Sequence, residues 1–132
     1  MSASKKTKPH PLLWTVEPLQ DEPSYLDRAW FGCRAVYLNG RMVLVLCSGE
    51  EPWNGLLIPT EKELHQHLIQ DFSGVVRHPV LKKWLYLPEN SEDFESLAMD
   101  LVEAVRQGDQ RIGIEPKERK ARKQKSGPLI IL

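Results

Sequence analysis

The stretch WFGCRAVYLNGRMVLVLC, residues 30–47, decides the fold. Asn39-Gly40 lies between two runs rich in β-branched, aromatic and aliphatic residues, and a type I′ turn needs positive φ at both central positions, which this pair tolerates best. A β-hairpin with a two-residue loop is therefore predicted. That loop sets the register: Leu38 faces Arg41, Tyr37 faces Met42, Val36 faces Val43, Ala35 faces Leu44, Arg34 faces Val45 and Cys33 faces Leu46. Alternation then sorts the side chains. Phe31, Cys33, Ala35, Tyr37, Met42, Leu44 and Leu46 share one face, expected to be core, while Arg34, Val36, Leu38, Arg41, Val43, Val45 and Cys47 share the other. The second face is mixed, so a helix is expected on one side of the sheet, with the other side only partly wet.

In this register Cys33 and Cys47 fall on opposite faces of adjacent strands, where a bridge would have to pass through the sheet. Two reduced, half-buried thiols are expected, which suits a reducing compartment. Neither cysteine has a Cys-x-x-Cys partner or a histidine at ligand spacing.

At 132 residues, with 41% hydrophobic and 27% charged, the chain has the composition of one ordinary globular domain with tails. Its formal net charge of +0 removes a global electrostatic case for nucleic-acid binding. No apolar run approaches the roughly 20 residues of a membrane span, and the start lacks a secretory h-region, so a cytoplasmic location without membrane contact is expected.

Residues 1–22 hold Lys5, Lys6, Lys8 and several prolines with little periodicity, and are expected to form an irregular arm whose Leu12, Leu13 and Trp14 dock on the domain. The segment PSYLDRAW predicts a short helical turn before the hairpin. GLLI, residues 55–58, predicts a further strand. Thr60 and Glu63 have the spacing of a capping box, and Leu64, Leu68, Ile69 and Phe72 continue as an amphipathic helix ended by Gly74. KWLYLP, residues 83–88, predicts a strand with Trp84 and Tyr86 on one face and Leu85 and Leu87 on the other. The clearest helix follows. Asn90 or Ser91 is placed to cap it, Gly108 to end it, and Phe94, Leu97, Ala98, Leu101, Val102 and Val105 form a stripe at i, i+3, i+4, i+7, i+8 and i+11. RIGI, residues 111–114, is expected to add an edge strand or an ordered extension. The domain is thus 23–114, and 115–132 is a basic tail with an apolar end, PLIIL.

No residue has the constellation of a catalyst, a cofactor site or a metal centre. His65 and His67 are spaced i and i+2, about 200° apart on a helix, where shared ligation needs i+3 or i+4, so both are expected at the surface or its boundary. His78 before Pro79 has no local partner. Two surfaces are candidates for contact. Arg34, Val36, Arg41 and Val43 would form an apolar and cationic patch for a partner protein if no helix covers them. Lys117, Arg119, Lys120, Arg122, Lys123 and Lys125 could neutralise nucleic-acid phosphates, although the run lacks the aromatics that stack bases.

Trp30-Phe31-Gly32-Cys33, Tyr37, Asn39-Gly40, Met42 and the following Val-Leu-Val-Leu, with Trp84-Leu85-Tyr86-Leu87-Pro88-Glu89 leading into the last helix, resemble the N-terminal domain of the TfoX/Sxy family, regulators of natural competence in bacteria. Cys33 stands where the family has a second glycine. The resemblance covers about residues 24–107. It implies an α+β domain, a mostly antiparallel sheet of about four or five strands with helices packed on it, and it supplies no catalytic residues.

The expectation is a non-enzymatic bacterial domain acting by protein contacts in transcriptional or competence-type regulation, as a monomer or homodimer, without cofactors. Two alternatives stand beside it: a nucleic-acid-associated accessory protein using the basic tail, and an enzyme with a site near His78 or Cys33.

Overall fold

The structure is a computed structural model that describes residues 10–115. An antiparallel sheet of six strands runs in the order β1-β2-β3-β4-β6-β5, from β1 (Leu26–Trp30), β2 (Cys33–Leu38), β3 (Arg41–Ser48), β4 (Asn54–Ile58), β5 (Val76–Arg77) and β6 (Leu85–Pro88). The fold is α+β, with slightly more strands than expected. Two α-helices, α1 (His65–Asp71) and α2 (Phe94–Arg106), and a 3₁₀ helix at Leu13–Leu19 pack on one face.

Asn39-Gly40 forms the predicted turn, with φ of 54° and 79°, and Leu38 pairs with Arg41 and Tyr37 with Met42. One residue further on the register slips. Val36 pairs with Leu44, leaving Val43 as the extra residue of a β-bulge, so Ala35 faces Val45 and Arg34 faces Leu46. Val43 and Leu44 both enter the helix-covered core. The face carrying Cys33, Ala35, Tyr37 and Met42 is joined by Val45 and Cys47 instead of Leu44 and Leu46. The helices lie over the opposite side from the one expected, the side of Val36, Leu38, Leu46, Leu56, Ile58, Leu85 and Leu87.

α2 supplies the largest helical contribution to that core. Phe94, Ala98, Leu101, Val102 and Val105 are buried and Leu97 is half-buried, as the stripe predicted. Burying a side chain such as Leu101, 1% exposed, contributes about 1.5–3 kcal/mol. Past the helix Gly108 takes φ 86°, and the Asp109 N–H donates to the Ala104 carbonyl at 3.0 Å. The start differs from expectation: Asp93 is the N-cap and no side chain caps the end.

Other local expectations give way to tertiary pairing. Residues 26–30 are a strand rather than a helical turn, because they pair with β2 from Leu26 opposite Tyr37 to Trp30 opposite Cys33. From residue 10 on the arm is not irregular: Leu12, Val16 and Leu19 are buried in the main core, and Trp14 meets the ring of Phe94 edge-on at 6.3 Å. Thr60 makes no capping box. Its hydroxyl donates to the Arg111 carbonyl at 2.7 Å, and the helical segment begins with a 3₁₀ turn at Lys62–Leu64. The 111–114 segment is an ordered extension, with Ile112 in the core and Ile114 bridged to Met42.

Gly55 holds the middle of the sheet together. At φ 144° it pairs with Cys47 on one side and Pro88 on the other, and a Cβ there would lie 2.1 Å from the Leu87 carbonyl oxygen. Only glycine lets the three strands approach this closely.

Candidate functional site

The helix-free face of the sheet is nevertheless buried. Tyr37, Met42, Val45, Cys47, Leu57 and Tyr86 are covered by Trp30, Trp53, Leu81, Trp84 and Ile114. The Arg28 guanidinium lies 5.7 Å from the Tyr37 ring centroid, within range of a cation–π contact. Side chains from loops and strand ends thus do on this face what helices do on the other.

At one end of the cover the hairpin between β1 and β2 turns at Phe31-Gly32, with φ of 47° and 81°, the same backbone geometry as Asn39-Gly40. Phenylalanine has none of the local hydrogen bonding that lets asparagine occupy this region. Phe31 is also 88% exposed. Backbone strain and exposed apolar area therefore coincide at one residue. Behind it the Trp30 ring stacks on Trp84 at 5.5 Å and meets Phe31 edge-on at 5.0 Å. Beside this knob lies an open groove of about 610 Å³ with nearly all-apolar walls, built from Trp30, Phe31, Cys33, Trp53 and Leu81, with Glu50 as its charged lining residue.

Cys33 lines this groove and is bonded to Cys47. The bulge explains the bridge: with Arg34 opposite Leu46, the next residues across the two strands share a face, and their Cα atoms stand 4.8 Å apart. The expectation of two free thiols is overturned, and with it the thiol argument for a reducing compartment. Cys33 offers no thiolate nucleophile while the bridge is closed.

His78 is buried, and its ring is held on both sides. Nδ1 accepts from the Val80 and Leu81 backbone N–H groups at 3.1 and 2.9 Å, and Nε2 donates to the Pro52 carbonyl at 3.0 Å. Burial lowers its pKa, and the Pro52 bond opposes this in part. The ring packs at 4.6 Å from Trp53 and 5.2 Å from Tyr86, so it fastens the 78–81 loop to the groove wall. Both nitrogens are engaged by backbone, which leaves neither for proton transfer to a substrate.

The patch expected at Arg34, Val36, Arg41 and Val43 is not a surface. Val36 and Val43 are 0% and 5% exposed, because the helices cover the sheet face that they share with Leu38. Arg34 is paired with Asp27 at 3.0 Å, and Arg41 donates to the Gly113 carbonyl at 2.6 Å. His67 is exposed as expected, but His65 is 1% exposed and takes part in a bonded cluster with Arg77 and Lys83. Lys117, Arg119, Lys120, Arg122, Lys123 and Lys125 lie outside the described residues. Among the described residues no three His, Cys, Asp or Glu side chains stand close enough to hold a metal ion. No helix among them is long and apolar enough to cross a membrane.

Sequence reasoning missed the groove because Phe31-Gly32 does not carry the composition of a tight hairpin. The available signal was its two-residue spacing between Trp30 and Cys33, with glycine second. No family model, no curated protein and no solved structure matches the chain. The resemblance to the TfoX N-terminal domain therefore rests on its motif residues alone.

Proposed function

We propose that the chain is a non-enzymatic binding module that engages a partner protein through the Phe31 knob and the groove beside it. The carrying observation is that the most exposed large apolar side chain among the described residues is also held in a backbone region unfavourable to it. Strain kept at an exposed residue marks function more often than folding, since folding gains nothing from either feature. Tryptophan and phenylalanine clustered around a cleft are the usual anchors of protein recognition. A small ligand would use the cleft and have no need of the knob. The partner segment inserts an apolar side chain into the groove and carries an adjacent lysine or arginine to face Glu50. The regulatory role implied by the TfoX resemblance belongs to this proposal, with the module acting by contact and not by chemistry.

The test is affinity capture with the intact chain, with Phe31→Ser and with Met99→Ser, an exposed control on α2. A protein held by the intact chain and the control but lost with Phe31→Ser, and whose titration changes the fluorescence of Trp30 and Trp84, supports the proposal. Identical capture by all three removes it.

A further inference from the structure

A second cavity, independent of the aromatic groove, lies between the 3₁₀ turn Lys62–Leu64, β5 and the loop that joins β5 to β6. It is open to solvent, has a volume of about 480 Å³ and is lined by Lys62, His65, Arg77, His78, Pro79 and Lys82, of which Lys62, Arg77 and Lys82 are exposed. No carboxylate lines it. Glu61 and Glu63 flank Lys62 in sequence, yet neither contributes to the wall. Lys62, Arg77 and Lys82 make no ion pair among the described residues, whereas Arg106 and Arg111 each hold a carboxylate within 2.9 Å. In a chain with 18 basic and 18 acidic residues, three cations around one cavity without counter-charge are an unbalanced feature.

The arrangement is also braced. His65 is 1% exposed, and its Nε2 donates to the Lys83 carbonyl at 2.8 Å. Its Nδ1 is then an acceptor, and it takes the Arg77 Nε–H at 3.2 Å. A buried imidazole thus holds the guanidinium by its inner nitrogen and leaves the two terminal nitrogens for a ligand. The His78 ring, closed on the Val80 and Leu81 N–H groups, fixes the loop just before Lys82. These contacts all lie within the chain itself, as the support of a preorganised site must.

We propose that this cavity is a phosphate-group site, the group coming from a small phosphorylated molecule or from free orthophosphate. A guanidinium fork flanked by two ammonium point charges matches a dianionic oxyanion better than a single carboxylate. The volume lies in the range of small-molecule sites and exceeds what a bare ion needs. Arg77 supplies the directional contact, and Lys62 and Lys82 supply charge.

Isothermal titration of the full chain at constant ionic strength, with adenosine monophosphate and with orthophosphate as probes, tests this. Saturable binding is expected, weakened at least tenfold in Arg77→Gln and severalfold in Lys82→Gln, with Arg77→Lys between Arg77→Gln and the intact chain. Tighter binding of the nucleotide assigns a phosphoester, and tighter binding of orthophosphate assigns the free ion; both support a phosphate site. Absence of saturation by either probe up to about 10 mM, ten times a millimolar dissociation constant, overturns it. So does unchanged affinity in Lys82→Gln, an exposed loop variant that tests the site even if Arg77→Gln fails to fold.

Discussion

Cys33 on β2 is bonded to Cys47 on β3 because Val43, ten residues after Cys33, is one residue too many for its strand. Without that bulge the two sulfurs would point to opposite faces. The same slip turns Leu44 and Leu46 to the side of Val36 under the helices and brings Val45 to the groove side beside Tyr37 and Met42. One extra residue thus decides a covalent bond, the sidedness of the core and the site that remains open.

The bridge closes a loop of sequence separation 14. Chain-entropy arguments give such a crosslink about 3 kcal/mol. Cys47→Ser, or reduction of the intact chain, is expected to lower the urea midpoint by a corresponding amount. Titration with a thiol reagent before and after unfolding reports the bond directly: two free thiols in the protein purified without reductant would contradict the bridge.

Gly55→Ala is expected to destabilise by about 3 kcal/mol or more, because the new methyl would have to displace the backbone at Leu87 and Glu89. Chemical denaturation measures it. A loss below about 0.5 kcal/mol, the size of an ordinary surface change, would mean the strands at this point separate easily.

Phe31→Asn should raise stability while it abolishes partner binding. Asparagine accepts the left-handed backbone that phenylalanine occupies at φ 47°, and relief of that mismatch contributes roughly 0.5–1 kcal/mol. Thermal melting and affinity capture on the same preparation read the two effects. A variant both less stable and fully binding would place the importance of Phe31 in folding.

The pH dependence follows from His78 and His10, both held below the usual histidine value of 6.5 by burial, with Arg34 adding to the effect at His10. The unfolded chain takes up these protons first, so stability is complete above pH 6.5 and falls as the pH drops below it. Asp109, held low chiefly by its bond to Arg111, opens a second window of loss as the pH falls below its ordinary value of 3.8. Denaturation midpoints between pH 8 and about 2 trace both. His78→Gln should reduce the slope of the first window to the part that His10 contributes, and an unchanged slope there would show that His78 does not titrate with unfolding.

Much of the architecture was legible one segment at a time. Asn39-Gly40, the stripe from Phe94 to Val105 and the alternation of Trp84, Leu85, Tyr86 and Leu87 each express a local rule, and neighbours along the chain suffice to satisfy it. The Thr60 cap was equally well spelled and did not form, because the Arg111 carbonyl, 51 residues away, competes for the same hydroxyl. The Phe31-Gly32 turn was hidden for the opposite reason: its composition argues against the conformation it adopts.

By itself the sequence determined the α+β class, the central hairpin and the last helix with its buried stripe. The tertiary structure decided which face those helices cover, whether the cysteines meet, and that Lys62, Arg77 and Lys82 surround one cavity. The physical reason lies in the period of a strand. A two-residue repeat has no local record of an inserted residue, yet each insertion reverses every side chain beyond it, and only the packing of Val43 and Leu44 on the same side selects where the insertion falls.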